Sequence, residues 1–313
     1  MAKVLVTGAA GFVGSHLVDS LLLDGHEVFG IDNFSTGSPA NISHLSDNKS
    51  FQFADRDICG GLGDMVNVKF DQIFHMASPA SPPRYMELPL ETMHANTKAT
   101  EILLNHANQN HSRMLFASTS EIYGDPHEHP QSESYWGNVN PIGPRSVYDE
   151  AKRFGETLIS HFRRNLGTDT VIVRIFNTYG PRMDPDDGRV VSSFIRDGIE
   201  GKPFSVFGDG KQTRSFCFIS DLVSGLRLAM DKGISGPVNL GNPNDFTLLE
   251  LADEVGKVLD IQPVLEFKEL PVDDPKQRQP DISYANVALN WSPQIELAEG
   301  LKITADWMRT RLT

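Results

Sequence analysis

The sequence predicts a doubly wound α/β fold, a parallel sheet with helices on both faces, from three observations. Short apolar runs alternate with helical stretches through the first 180 residues, a glycine loop joins the first strand to the first helix, and an acid ends the second strand. The chain has 313 residues, 39% of them hydrophobic and 22% charged. That is enough to build a core without disulfide or metal staples.

Val4-Leu-Val reads as a buried strand and Gly8 to Gly14 as a tight loop. Leu17, Val18, Leu21 and Leu22 then recur at helical spacing in Ser15–Leu23, Gly25 terminates the helix, and Val28–Asp32 is apolar again. This is a βαβ unit. Further strands are predicted at Phe51–Phe53, Gln72–Phe74, Met114–Ala117 and Thr170–Ile175, with helices near 89–109 and 148–166. After about residue 180 the texture changes to Pro/Gly punctuation with shorter helices near 190–200, 221–231 and 247–259. Residues 1–180 with roughly 212–237 are therefore assigned to one domain, and 181–211 with 238–313 to a smaller C-terminal α/β domain.

A net charge of −13 disfavours nucleic acid and anionic membrane as partners. No apolar run reaches the roughly 18 residues of a membrane span. Cys59 and Cys217 form neither a disulfide framework nor a zinc-spaced cluster. The expected location is cytoplasmic.

Thr7-Gly8-Ala9-Ala10-Gly11-Phe12-Val13-Gly14 lets backbone approach a pyrophosphate, whose charge then meets a helix N-terminus. Because the loop follows a strand, opens a helix and is followed by Asp32, it reads as the dinucleotide site of a Rossmann-like sheet. Asp32 accepts from both ribose hydroxyls and repels a 2′-phosphate, and no arginine precedes Arg56, so NAD is favoured over NADP. Asp57 reads equally as a contact to the adenine amino group or as a solvated loop acid.

Tyr148-Asp-Glu-Ala-Lys152 opens a helix whose apolar face continues through Leu158, Ile159, Phe162 and Leu166, so Tyr148 and Lys152 project from one side. Tyrosine titrates near about pH 10. Positive charge from Lys152 and an oxidised nicotinamide favours the phenolate, which makes Tyr148 a candidate base.

The glycine loop together with Tyr-x-x-x-Lys resembles the extended short-chain dehydrogenase/reductases. Within them, Ala77-Ser-Pro-Ala-Ser-Pro-Pro83, Ala117-Ser-Thr-Ser-Glu-Ile-Tyr-Gly-Asp-Pro126, Asn140-Pro-Ile-Gly-Pro-Arg145 and Asp187-Gly-Arg-Val-Val191 closely resemble the UDP-glucuronate decarboxylases, or UDP-xylose synthases. The likeness runs from residue 4 to about 307. It implies a cofactor shell of Gly8, Gly11, Phe12, Val13, Gly14, Asp32, Asn33, Ser35, Thr36, Gly37, Asp57, Ile58, Met76, Ala77, Ser78, Tyr148 and Lys152.

Thr119-Ser120-Glu121 follows an apolar strand. The 4,6-dehydratases of the superfamily resemble this motif with Asp in the middle, because expelling a hydroxyl needs a proton donor. Ser120 is a poor acid, which points to a substrate carboxylate in place of that hydroxyl. The resemblance implies that Tyr148, with Thr119 bonding the same oxygen, removes the C4 hydroxyl proton as hydride passes to NAD. The resulting 4-keto sugar loses CO₂, C5 is reprotonated, and reduction of C4 gives UDP-xylose. Glu121 is expected near C5, either organising water or protonating carbon, and Arg278 in Asp273-Asp-Pro-Lys-Gln-Arg278 is expected to orient the carboxylate. Asn177, Arg189 and Arg214 are expected at the diphosphate, Val190 and Val206 at the uracil, and Tyr85 at the sugar.

Family members often carry Lys where this chain has His94, a change that bears on how the carboxylate is held and on release of UDP-4-keto-pentose. His127 and His129 read as solvated, with no metal site. A homodimer is implied through the helices near 89–109 and 148–166, which exposure of Phe154, Phe162 or Leu103 on one would support. Rival readings are a UDP-sugar 4-epimerase or 4,6-dehydratase, against which Ser120 and Arg278 argue, and a non-catalytic NAD sensor, which the retained Tyr148, Lys152 and Thr119 disfavour.

Overall fold

A computed structural model describes residues 1–270, 273, 275 and 277–312. Of the run read around Arg278, Asp274 and Lys276 lie outside the described residues. The chain opens with Lys3–Thr7 (β1), Phe12–Leu23 (α1), Glu27–Asp32 (β2), Phe51–Asp55 (β3) and Gln72–His75 (β4). Pro82–Glu87 (α2), Pro89–Asn96 (α3), Lys98–Asn110 (α4), Arg113–Thr119 (β5), Ser146–Leu166 (α5) and Thr170–Ile175 (β6) follow. The later part holds Thr178–Tyr179 (β7), Val190–Ile199 (α6), Phe204–Phe207 (β8), Thr213–Ser215 (β9), Cys217–Phe218 (β10) and Ile219–Lys232 (α7). It ends with Pro237–Leu240 (β11), Asp245–Thr247 (β12), Leu248–Leu259 (α8), Leu265–Lys268 (β13), Gln277–Arg278 (β14), Ser283–Leu289 (α9) and Leu297–Leu312 (α10).

Seven parallel strands form the central sheet in the order β11-β6-β5-β4-β1-β2-β3. Chain order reverses between β1 and β4, which opens a crevice at the carboxyl ends of those strands. Side chains alternate faces along each strand. Val4 and Val6 therefore enter the core cluster that holds α1 and α7, while Leu5 enters the one under α4 and α5.

The structure corrects one expectation and adds detail to two others. The helical stretch read near 89–109 is divided: Pro82 and Pro89 open α2 and α3, positions where the missing N–H costs no helical bond, and Thr97 (φ −116°, ψ −74°) breaks α3 from α4. Leu103 and Phe162 are buried against the sheet, leaving only Phe154 of the three exposed. The domain boundary at 237/238 falls inside β11, whose Val238 lies opposite Val173 of the central sheet.

Candidate active site

A cavity of about 730 Å³ lies between the sheet's carboxyl end and the later elements. Gly8, Gly11, Phe12, Val13 and Gly14 line it from the loop after β1, Met76 and Ser78 from the end of β4, and Thr119, Ser120 and Glu121 from the end of β5. Tyr148 and Lys152 enter from α5, and Asn177, Arg189, Val190, Arg214 and Arg278 from the later chain.

The glycine loop fits a dinucleotide for steric reasons. A Cβ on Gly14 would collide with the Gly8 carbonyl oxygen, and one on Gly8 (φ +71°) would stand 2.9 Å from the Ala77 nitrogen. Helix α1 thus reaches the strand, and its N-terminal amides face the cavity. Asp32 ends β2 with its carboxylate accepting from Ala10 N at 2.9 Å and Phe34 N at 2.8 Å. Burial raises its pKa, and the backbone donors oppose that. A Cβ at Gly37 would lie 3.0 Å from both Asp32 oxygens, so glycine leaves the carboxylate accessible from that side. These features suit NAD.

Asn33, Ser35, Thr36 and Gly37 form the loop after β2, outside the cavity lining, where Asn33 Oδ1 accepts from the Ser35 amide and hydroxyl. Asp57 caps the turn Ile58–Gly60 through Cys59 N at 2.8 Å. The Ile58 side chain is buried in the core beside Leu5 and Phe29, so only its backbone remains for a cofactor contact. Ala77 N donates to Thr7 Oγ1 at 3.3 Å.

Lys152 Nζ donates to the Ala117 carbonyl at 2.6 Å and lies 5.6 Å from the centre of the Tyr148 ring. Burial pushes its pKa down to about 7, with Glu156 opposing. The Tyr148 phenol is pushed upward by burial, and its hydrogen bond with Thr119 works the other way. The Lys152 ammonium is turned to the Ala117 carbonyl, and desolvation dominates at the Tyr148 ring. Tyr85 lies flat against Tyr148, with centroids 5.0 Å apart and planes at 4°, and stands outside the cavity lining. Its hydroxyl is buried without a hydrogen-bond partner among the described residues.

Glu121 is gripped on both sides. Arg278 Nη1 and Nη2 donate to its Oε1 and Oε2 at 2.6 and 2.7 Å, and Arg145 Nη2 donates to Oε2 at 2.8 Å. Burial alone would raise the Glu121 pKa, but the two guanidiniums overcome it and hold the carboxyl well below the usual range. Glu121 is therefore a fixed anion here, which argues against the proton-donor alternative. Ser120 is 2% exposed beside it.

At the far end Arg189 pairs with Asp187 at 2.7 Å, and Arg214 Nη2 donates to the Pro275 carbonyl at 2.5 Å. Val206 is a correction: it is fully buried with Phe204, while Ser205 and Phe207 line the cavity. Strand alternation turns every second residue of β8 outward. His94, His127 and His129 are exposed and absent from the lining. The sequence reading missed Arg145, Arg196 and Lys268, all of which face the cavity. Arg145 lay in a quoted string three residues before Tyr148, while the other two had no sequence signal beyond charge.

The NAD dependent epimerase/dehydratase family matches residues 4–241. UDP-glucuronic acid decarboxylase 1 of Arabidopsis thaliana is 51% identical over 99% of this chain and 70% of its own length. The protein of the same name from Xenopus tropicalis is 46% identical over 99% and 73%. Among solved structures, UDP-glucuronic acid 4-epimerase from Bacillus cereus in complex with UDP-glucuronic acid and NAD superposes with a TM-score of 0.89 at 31% identity, covering 99% of both chains. The chain belongs to the NAD dependent epimerase/dehydratase family and, within it, to the UDP-glucuronic acid decarboxylases.

Proposed function

We propose that this chain converts UDP-glucuronate to UDP-xylose and CO₂, with NAD as its cofactor. The observation that carries this reading is one cavity with two chemical ends, a Tyr148–Thr119–Lys152 group beside the glycine loop and a pair of guanidiniums, Arg145 and Arg278, facing the same space. When bound, NAD supplies a reversible hydride acceptor and a positive charge beside Tyr148. Tyr148 takes the C4 hydroxyl proton and Thr119 bonds the same oxygen. With C4 a ketone, the C5 carboxylate is that of a β-keto acid, and its C–C bond breaks to give CO₂ and an enolate that Tyr148 and Thr119 stabilise. Water ordered by the Glu121 carboxylate would return a proton to C5, and return of the hydride to C4 with the Tyr148 proton to its oxygen would give UDP-xylose. Ser120 offers no acid to expel a hydroxyl, which favours decarboxylation over dehydration.

Asn177, Arg189 and Arg214 seat the diphosphate, and Val190 with Phe207 borders the uracil. The division of the chain is residues 1–180 with about 212–240 for NAD, and 181–211 with about 241–313 for the nucleotide sugar. Unbridged Cys59 and Cys217 favour a reducing, cytoplasmic setting. Exposed Phe154 and Leu166 on α5 and Leu90 on α3 favour a homodimer across those helices.

Incubating the protein with UDP-glucuronate and NAD, then analysing the sugar nucleotide by mass and NMR, tests this. Loss of CO₂ with UDP-xylose as the product supports it. Unchanged mass with inversion at C4, or loss of water, would replace it with epimerase or dehydratase chemistry. Accumulation of UDP-4-keto-pentose would move the point of product release.

A further inference from the structure

The helix that carries Tyr148 and Lys152 also holds a largely buried ion pair that no step above uses. Glu156 lies one turn beyond Lys152 in α5, and Ser118 Oγ donates to its Oε1 at 2.6 Å. Arg174 of β6 donates to the same carboxylate, from Nε to Oε1 at 3.0 Å and from Nη2 to Oε2 at 2.8 Å. The Arg174 and Glu156 side chains are only 10% and 14% exposed. Ser118 and Arg174 are direct neighbours across the β5–β6 ladder, so one side chain of α5 grips both strands at one level. Arg174 Nη1 extends the grip to the Tyr123 hydroxyl at 3.0 Å and the Glu133 carbonyl at 2.9 Å. Tyr123 closes the turn Ser120–Tyr123 that bears Glu121, and its hydroxyl donates to Asn239 Oδ1 of β11 at 2.8 Å. The residues on either side of Ser118 are the ones the chemistry needs. The Ala117 carbonyl receives Lys152 Nζ, and the Thr119 side chain bonds Tyr148. Helix α5 is pressed onto this strand, since a Cβ on Gly155 would collide with the Phe116 ring. An apolar pair in place of a buried Glu–Arg pair is often as stable or more so. Such a pair could not hold Ser118 at hydrogen-bond distance from the helix.

We propose that Glu156 is a positioning residue for the transfers at Tyr148: through Ser118 and Arg174 it locks the end of β5 to α5, and so aligns Thr119 with Tyr148 and the Ala117 carbonyl with Lys152. This rests on the reading of Tyr148 as the group that takes the C4 proton. Glu156 stands outside the cavity lining, whereas Ser118, which it holds, is part of that lining. Loss of the grip leaves the ligands most of their contacts and misplaces the groups that react with them. The effect falls on kcat and not on affinity, because an error of about 1 Å can cost about 10²-fold in rate.

The test replaces the ion pair as a unit, Glu156→Met with Arg174→Met, because removing one partner would leave the other charge buried alone. This paired variant should melt near wild type. Its kcat for UDP-xylose formation should fall about 10²-fold, with the KM of UDP-glucuronate and the Kd of NAD within about twofold of wild type. Ser118→Ala alone should lower kcat about tenfold, and added to the paired variant should lower it no further, since the hydroxyl acts only through Glu156. A paired variant that melts normally and turns over at the wild-type rate overturns the proposal, as does one whose KM rises while kcat holds. A further loss from Ser118→Ala in the paired variant also overturns it, since Ser118 would then act by itself. Tyr148→Phe separates this inference from the reading beneath it. Wild-type turnover in that variant removes both, whereas an inactive Tyr148→Phe protein beside a fully active paired variant removes this inference alone. Should the paired variant not fold, Glu156→Asp decides, because it keeps a carboxylate for Arg174 but shortens the reach to Ser118. A fall of about tenfold in kcat at unchanged KM then supports the proposal, and a wild-type kcat overturns it.

Discussion

Burial sets what Lys152 can do. Its folded-state pKa of about 7 lies below the ordinary lysine value of about 10.4. Between those values the unfolded chain holds a proton that the folded chain has released, so stability rises with pH across the window and the full desolvation cost is present below it. Lys152→Met removes that cost together with the cation. Its unfolding free energy at about pH 6 should exceed wild type by on the order of 1 kcal/mol, with turnover falling about 10²-fold or more. Urea melts at about pH 6 and about pH 10 check this, and a variant no more stable at the lower pH overturns it. That Tyr148, Lys152, Thr119, Glu121 and Arg278 line one cavity was legible because each sits in a short string with a fixed chemical sense. The Glu121–Arg145–Arg278 grip was not, because it joins positions up to 157 residues apart.

At the level of elements, β8 shows how one residue of register changes a role. Three of the four residues of β8 are apolar, so its sequence does not say which face meets the cavity. Packing of Phe204 on Phe194, with centroids 4.8 Å apart, settles it and turns Phe207 outward. Phe207→Ala should therefore raise the KM for the nucleotide sugar about tenfold through lost base stacking, with little change in melting temperature. Val206→Ala should cost about 2 kcal/mol of stability and leave KM near wild type. Steady-state kinetics beside thermal melts separate the two, and the opposite pattern would reverse the assignment. Helices α1, α5, α6, α7 and α8 were legible from apolar spacing. The reading assigns no helix to 297–312, although Leu297, Leu301, Ala305 and Met308 recur at three and four and are buried in α10. The break at Thr97 follows no single-residue rule, and α3 and α4 on either side of it both pack on α5.

Across the whole molecule, charge and apolar surface divide the work. The net charge of −13 is set against arginines gathered at the cavity, a local field suited to a diphosphate and a carboxylate. Phe154 is 51% exposed on the helix that carries Tyr148, on a turn away from the cavity. If the proposed homodimer forms across α5, Phe154→Glu should shift it toward monomer in sedimentation velocity at micromolar concentration, because the interface would then bury a charge without a partner. Sedimentation identical to wild type would remove α5 from the interface. The parallel sheet was legible from the alternation of strands and helices, but the boundary at 237/238 was not, because β11 returns to the sheet after an excursion of about 60 residues. One cluster of buried side chains runs from Val4 and Val173 of that sheet through Phe194, Phe204 and Leu251 to Met308. The parts of the chain proposed to hold cofactor and nucleotide sugar therefore share this interior, and a single cooperative thermal transition is expected. Grafting the later half from a relative with another sugar preference would cut through interlocked side chains, so new specificity on this scaffold comes through substitution at the rim.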